Sequence, residues 1–126
     1  MAKKVKALIV DDELAVLESF KMILGIKDYE VDTAQNLEQA VSAVQKDRFD
    51  IAFIDLRFYG KDIGLDILKK IKEINPKVEC IIVTAFASEK TKMDALQAGA
   101  FEYISKPFMM EIIYDLVDRV VAKQKQ

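Results

Sequence analysis

The chain has 126 residues, 52% hydrophobic and 32% charged, with a net charge of −2; this describes one globular domain and excludes a disordered chain or a membrane span. Histidine is absent and Cys80 is the single cysteine, so His-based triads, an internal disulfide and a Cys/His zinc site are all excluded. Lys and Arg are scattered, which argues against direct nucleic-acid binding, and the opening MAKKVKALIVDDE is no signal peptide, so a reducing cytoplasm is the expected location.

In chain order, Val5–Val10 is a short β-rich run closed by Asp11, Asp12 and Glu13, which can cap the next helix. That helix spans about Glu13 to Leu24, with Leu14, Leu17, Phe20 and Leu24 on one face and Gly25 as its stop. Tyr29–Thr33 is a weaker second strand. Asn36 through Gln39 resembles a capping box and opens a helix with Leu37, Ala40, Val41 and Val44 inward. Phe49–Leu56 is apolar almost throughout, as a strand covered on both faces should be. A helix over Leu65–Ile74 ends at Asn75-Pro76, and Val78–Val83 is the fourth strand. Ser88 to Ala98 is the fourth helix with Gly99 as its stop, Phe101–Ile104 the fifth strand and Met109–Val121 the last helix. Alternation of this kind predicts an α/β fold, one five-stranded parallel sheet with helices on both faces and right-handed crossovers.

Parallel sheets place their functional crevice beyond the carboxyl ends of the strands. Asp11 and Asp12 follow the first strand, Asp55 ends the third, Thr84 the fourth, and Lys106 comes just after the fifth. Three carboxylates about 5 Å apart repel by about 3 kcal/mol per pair at an effective dielectric near 20, so such a cluster binds a cation or keeps a proton. All-oxygen ligands favour Mg²⁺, which pairs naturally with phosphate oxygens. Lys106 adds an ammonium and Thr84 a hydroxyl able to donate to a phosphoryl oxygen. These are the parts needed for phosphoryl transfer onto an aspartate. Singly, each has a plainer role: an Asp after a strand is commonly a helix cap, and Asp-Asp-Glu complements a helix dipole. Capping does not account for all five standing at carboxyl ends of one sheet.

The motifs LIVDDE, IAFIDL, IIVTA and YISKPF together resemble the receiver domains of bacterial two-component response regulators, over essentially the whole chain, residues 1–126. The resemblance implies the flavodoxin-like receiver fold, with Asp55 as phosphoacceptor, Asp11 and Asp12 as the acidic pair, and Thr84, Lys106 and Tyr103 as hydroxyl switch, lysine and switch aromatic. It implies Mg²⁺ held by Asp11, Asp12, Asp55 and the backbone carbonyl of Arg57, and a cis bond before Pro107. The implied partner is a sensor histidine kinase or phosphotransfer protein, and the implied role is a switch rather than a turnover enzyme. Lifetime of the phosphorylated state is expected to depend on Arg57 and Phe86, two positions beyond Asp55 and Thr84.

One stretch departs from the pattern. Receivers carry Pro four residues after the phosphoacceptor and Gly eight after it; here Tyr59 stands in the first place, and the matching Gly64 comes nine residues on. Three rival readings are weaker. A haloacid-dehalogenase-type phosphatase needs Asp-x-Asp after its first strand, where this chain has Asp11-Asp12-Glu13. A flavodoxin-like FMN carrier needs a phosphate loop there, and acids would repel phosphate. A degenerate receiver acting only as an interaction module would not need the complete acidic pocket.

No output domain follows the last helix in this sequence, which reads as a free-standing receiver or a piece of a longer regulator. On that helix Met109, Ile112, Ile113, Leu116 and Val120 make a stripe sufficient to cover the sheet. Met110, Tyr114, Val117 and Val121 make a second stripe, expected to stay exposed as a dimer or output-domain surface on the fourth helix, fifth strand and fifth helix.

Overall fold

The computed structural model describes residues 4–125; Met1–Lys3 of the opening segment and Gln126 lie outside the described residues. Strands and helices alternate as β1 Lys6–Val10, α1 Leu14–Ile26, β2 Glu30–Ala34, α2 Leu37–Lys46, β3 Ile51–Asp55, α3 Ile63–Ile74, β4 Glu79–Thr84, α4 Glu89–Gln97, β5 Glu102–Ser105 and α5 Met110–Gln124. All pairings are parallel, in the order β2-β1-β3-β4-β5. The chain runs outward from β1 to β2 and returns to β3, so the strand order reverses between β1 and β3, where a ligand crevice forms.

Period-2 alternation divides each inner strand between two cores. Leu8 and Val10 face one cluster with Ile54, Ile82, Ile67, Leu68 and Ile71, the side covered by α2, α3 and α4. Ala7 and Ile9 face the other with Phe53, Leu17, Phe20, Ile113 and Leu116, the side covered by α1 and α5. β3 and β4 are buried throughout, whereas the edge strand β2 exposes Glu30 and Asp32. The Asn36 half of the capping box forms as expected, its carboxamide accepting Gln39 N–H at 2.8 Å, but Gln39 Oε1 accepts Gln35 N–H at 2.8 Å rather than the N–H of Asn36.

Three expectations are corrected. Leu14, expected on the inward face of α1, is 65% exposed, because α1 turns Leu17, Phe20, Ile23 and Leu24 inward. Gly25 does not stop α1, which continues to Ile26; the left-handed residue that closes the turn is Asp28, with φ 61°. A glycine inside a helix costs only about 1 kcal/mol relative to alanine, and packing of the helix outweighs it. On α5 the buried residues are Ile113, Leu116, Val117 and Val120. Val117 is thus core, and Tyr114 turns inward to donate its hydroxyl to the Ile23 carbonyl of α1 at 2.6 Å. Met110 is exposed as expected, while Met109 and Ile112, expected to cover the sheet, are exposed as well. The helix packs on α1 as well as on the sheet, which rotates its buried arc toward α1.

Candidate functional site

Strand register builds the site. Val10 pairs with Ile54, and Asp55 with Val83, so Asp11, one residue beyond β1, falls beside Asp55 at the end of β3. Thr84 pairs with Ser105, which sets Lys106 one residue beyond the neighbouring strand end. One carboxylate oxygen from each of Asp11, Asp12 and Asp55 lies within 4.8 Å of the others. Lys106 Nζ lies 3.2 Å from Asp11 and 3.7 Å from Asp55. The peptide bond between Lys106 and Pro107 is cis.

Asp11 is buried, and its two oxygens have separate partners: Oδ1 accepts Glu13 N–H at 2.9 Å, and Oδ2 accepts from Lys106. It therefore tethers the start of α1 rather than serving as its N-cap, the position taken by Glu13. Burial, then the charge of Asp11, pushes the Asp55 carboxyl up to about 6, with Lys106 acting in the opposite sense. Asp11 is likewise raised by burial, against the pull of Glu13 N–H and Lys106. One ammonium against three carboxylates leaves the site acidic, and a clustered set of carboxylate oxygens is the donor set a hard divalent cation takes.

The cavity here has a volume of about 320 Å³ and is lined by Asp12, Asp55, Arg57, Tyr59, Phe86 and Lys106 among others. A larger groove of about 910 Å³ lies at the opposite end of the strands. Its charges pair among themselves, Lys6 with Asp47 at 2.6 Å and Glu79 with both Lys72 and Lys123, so it offers no comparable acidic centre.

Thr84 is fully buried beneath the loop that follows it, and its Oγ1 accepts Phe86 N–H at 3.0 Å. Tyr103 lies away from the acidic cluster: its hydroxyl is 2.6 Å from Thr91 Oγ1 and accepts Ser88 N–H at 3.3 Å. Arg57 is neither free nor solvated alone. Its guanidinium lies 4.7 Å from the Phe86 ring centroid, and Nε is 3.3 Å from Asp62 at the start of α3. Both Arg57 and Phe86 line the cavity, and their stacking is a contact that positions two beyond Asp55 and Thr84 did not reveal in sequence.

The extra loop residue is absorbed by a two-residue hairpin. Phe58 and Lys61 exchange both backbone hydrogen bonds, at 2.9 and 3.1 Å, around Tyr59 at φ 54° and Gly60 at φ 79°. Two successive left-handed residues make a type I′ turn. Proline is fixed near φ −65°, so the position of Tyr59, where receivers carry Pro, cannot hold one in this turn. Phe58 is buried beneath the turn and Tyr59 is 83% exposed at the cavity mouth. Sequence reasoning missed this turn because Tyr-Gly lacks the Asn-Gly or Asp-Gly signal of such hairpins.

A doubly wound parallel sheet with an acidic cluster at its β1/β3 crevice and a lysine reaching it from the end of β5, two strands away, defines the receiver class. A family model for the response regulator receiver domain matches residues 7–118, and the chain belongs to that family. It is 42% identical over 105 residues to the alginate biosynthesis transcriptional regulatory protein AlgB of Pseudomonas aeruginosa, covering 83% of this chain and 23% of that protein. It is 31% identical over 123 residues to the transcriptional regulatory protein ZraR of Salmonella typhimurium, covering 98% of this chain and 28% of that one. The chain thus spans about a quarter of the length of the curated relatives it matches. Among solved structures, a CheY-like receiver domain protein from Methanospirillum hungatei JF-1 superposes with a TM-score of 0.89 at 29% identity, with 98% of each chain covered. Among the described residues no helix is long and apolar enough to cross a membrane.

Proposed function

We propose that this chain is a single receiver domain whose Asp55 accepts a phosphoryl group from the phosphohistidine of a sensor kinase or phosphotransfer protein, a switch rather than a turnover enzyme, working in the cytoplasm. An Asp55 carboxylate oxygen attacks phosphorus; an O–P bond forms, the P–N bond to the donor imidazole breaks, and its electron pair leaves with the nitrogen. Asp11, Asp12, Asp55 and the Arg57 carbonyl would hold Mg²⁺, and the ion neutralises charge at the phosphoryl oxygens when bound. Lys106, already within ion-pair reach of Asp11 and Asp55, exchanges part of that contact for the incoming phosphoryl oxygens. Thr84 gives up Phe86 N–H as its hydroxyl turns to donate to the phosphoryl group, and Tyr103 follows.

The observation that carries this reading is the joint placement of Asp11, Asp55 and Lys106, with Asp55 pushed up to about 6. A carboxylate crowded by charge and burial gains most from added positive charge and from conversion to an ester-like phosphate. Labelling of wild type and Asp55→Asn by a phosphohistidine donor or acetyl phosphate tests it; equal labelling of both would overturn it.

Moving a 1:99 equilibrium to 99:1 takes about 5.5 kcal/mol, more than one hydrogen bond supplies. The switch in the isolated domain is accordingly partial, and a partner completes it. Met93 and Leu96 on α4 and Ile112 on α5 are exposed apolar residues, and we assign to the face of α4, β5 and α5 docking of a second copy or an output domain. Sedimentation with and without beryllofluoride on wild type and Ile112→Glu tests this; a phosphorylation-dependent association that survives the change would remove Ile112 from the surface.

A further inference from the structure

Helix α4 has little apolar hold on the domain: Ala95 is its one buried residue, where α1, α3 and α5 each bury four. Its first turn is held by hydroxyls instead. Ser88 Oγ caps the helix by accepting Thr91 N–H at 3.1 Å. Thr91 Oγ1 lies 2.9 Å from Ser88 Oγ, 3.3 Å from the Ser88 carbonyl and 2.6 Å from the Tyr103 hydroxyl on β5. Ser88 N–H donates to that same Tyr103 oxygen.

One proton assignment satisfies the whole ring. Ser88 N–H gives to Tyr103, the Tyr103 hydroxyl gives to Thr91, and the Thr91 hydroxyl returns to Ser88. Capping alone requires only the bond between Ser88 and Thr91 N–H. The 2.6 Å contact to a side chain on another element is additional. At the other end of the same short loop, Thr84 Oγ1 accepts Phe86 N–H. The segment from Ala85 to Ser88 is therefore held at its start by the Thr84 hydroxyl and at its end by the Tyr103 hydroxyl.

Building on the phosphoacceptor reading, we propose that Thr91 is the positioning residue of the switch: its hydroxyl latches Tyr103 to the first turn of α4 and sets the fraction of molecules in the resting arrangement. When Thr84 turns toward a phosphoryl group, Phe86 N–H loses its acceptor and the loop moves. Ser88 N–H is then carried away from Tyr103, and the bond to Thr91 is the last tie on the ring. Removing the Thr91 hydroxyl releases Tyr103 without touching the acidic cluster. A net hydrogen bond corresponds to about a fivefold change in an equilibrium, and ligand affinity scales with the competent fraction. Thr91→Val should thus bind Mg²⁺ with beryllofluoride about fivefold more tightly than wild type.

The test uses the full chain with 3-fluorotyrosine incorporated, the Tyr103 signal being the one lost in Tyr103→Phe. In Thr91→Val without beryllofluoride, the Tyr103 ¹⁹F resonance should move toward its position in beryllofluoride-bound wild type. Calorimetry should give the fivefold gain in affinity, and Thr91→Ser, which restores a hydroxyl, should reverse both. Tyr103→Phe should tighten binding by a similar factor, and the double variant with Thr91→Val should add nothing further, as a shared bond requires. A Tyr103 resonance unmoved in Thr91→Val, or additive effects in the double variant, would overturn the latch. The resting ring position reports the latch whether or not Asp55 takes up phosphate. Absence of label in the wild type therefore counts against the phosphoacceptor reading alone.

Discussion

A Cβ placed on Gly64 would stand 2.1 Å from the carbonyl oxygen of Asp55 and 2.7 Å from Leu56 Cα. The start of α3 thus presses on the backbone that carries Asp55, and Gly64 N–H donates to the Leu56 carbonyl at 2.8 Å. The close contact is with backbone, which cannot rotate aside. Gly64→Ala should cost about 1–3 kcal/mol in urea denaturation, the scale of overpacking, and should lower phosphoryl incorporation at Asp55. Unchanged stability would mean that α3 can withdraw from β3.

The acidic cluster makes the metal-free protein pH-sensitive. The folded value of Asp55, about 6, lies above the ordinary 3.8, so the charged form is disfavoured by folding. Stability from this group is fully present below about 4 and is lost as pH rises through about 6. The whole shift corresponds to about 3 kcal/mol, with burial its largest cause and the Asp11 charge the second. With a chelator present, Asp55→Asn should be more stable than wild type by about 1–3 kcal/mol at pH 8, and the gain should shrink toward zero at pH 4. Thermal melts that differ equally at both pH values would contradict this origin.

Tyr59 occupies a left-handed conformation that costs a non-glycine residue about 1 kcal/mol, and Asn tolerates it better. Tyr59→Asn, which creates the favoured Asn-Gly pair of a type I′ turn, should stabilise the protein by about 0.5–1 kcal/mol. Urea midpoints measure it, and a loss of stability would show that the exposed ring contributes more than the backbone strain removes.

Arg57 and Phe86 both line the cavity that holds Asp55 and are stacked on each other, and on the phosphoacceptor reading this stack is expected to restrict water reaching the acyl phosphate. At an exposed site such a stack is worth about 0.5–1 kcal/mol. Phe86 is 62% exposed, so its removal should leave the fold intact. Phe86→Ala should shorten the phosphorylated lifetime by about two- to fivefold, the factor equivalent to that energy. Decay of label after removal of the donor gives the rate, and an unchanged or longer lifetime would exclude the stack as a barrier.

The sheet and the acidic cluster were legible in sequence for one reason. In parallel pairing, residues just past the strands must fall together, so Asp11, Asp55, Thr84 and Lys106 are placed by register alone. Features that depend on a third element were not legible. Periodicity gave α5 a broad apolar arc but not its rotation toward α1, set by Val117 packing and the bond from Tyr114 to Ile23. The Arg57 stack depends on the path of two loops, and the Tyr59 turn on a dipeptide without a strong turn signature. Thr91 sits on a helix face with nothing in sequence to announce Tyr103 as its neighbour.

The most direct test is intact-mass and peptide-mapped phosphoryl incorporation on the wild type, with acetyl phosphate as donor, with Mg²⁺ and with chelator. One phosphoryl group per chain, on the peptide holding Asp55, dependent on Mg²⁺ and absent in Asp55→Asn, is the expected result. Incorporation elsewhere, or at Asp55 independently of the cation, would contradict the assignment of this acidic cluster as a metal-assisted phosphoacceptor.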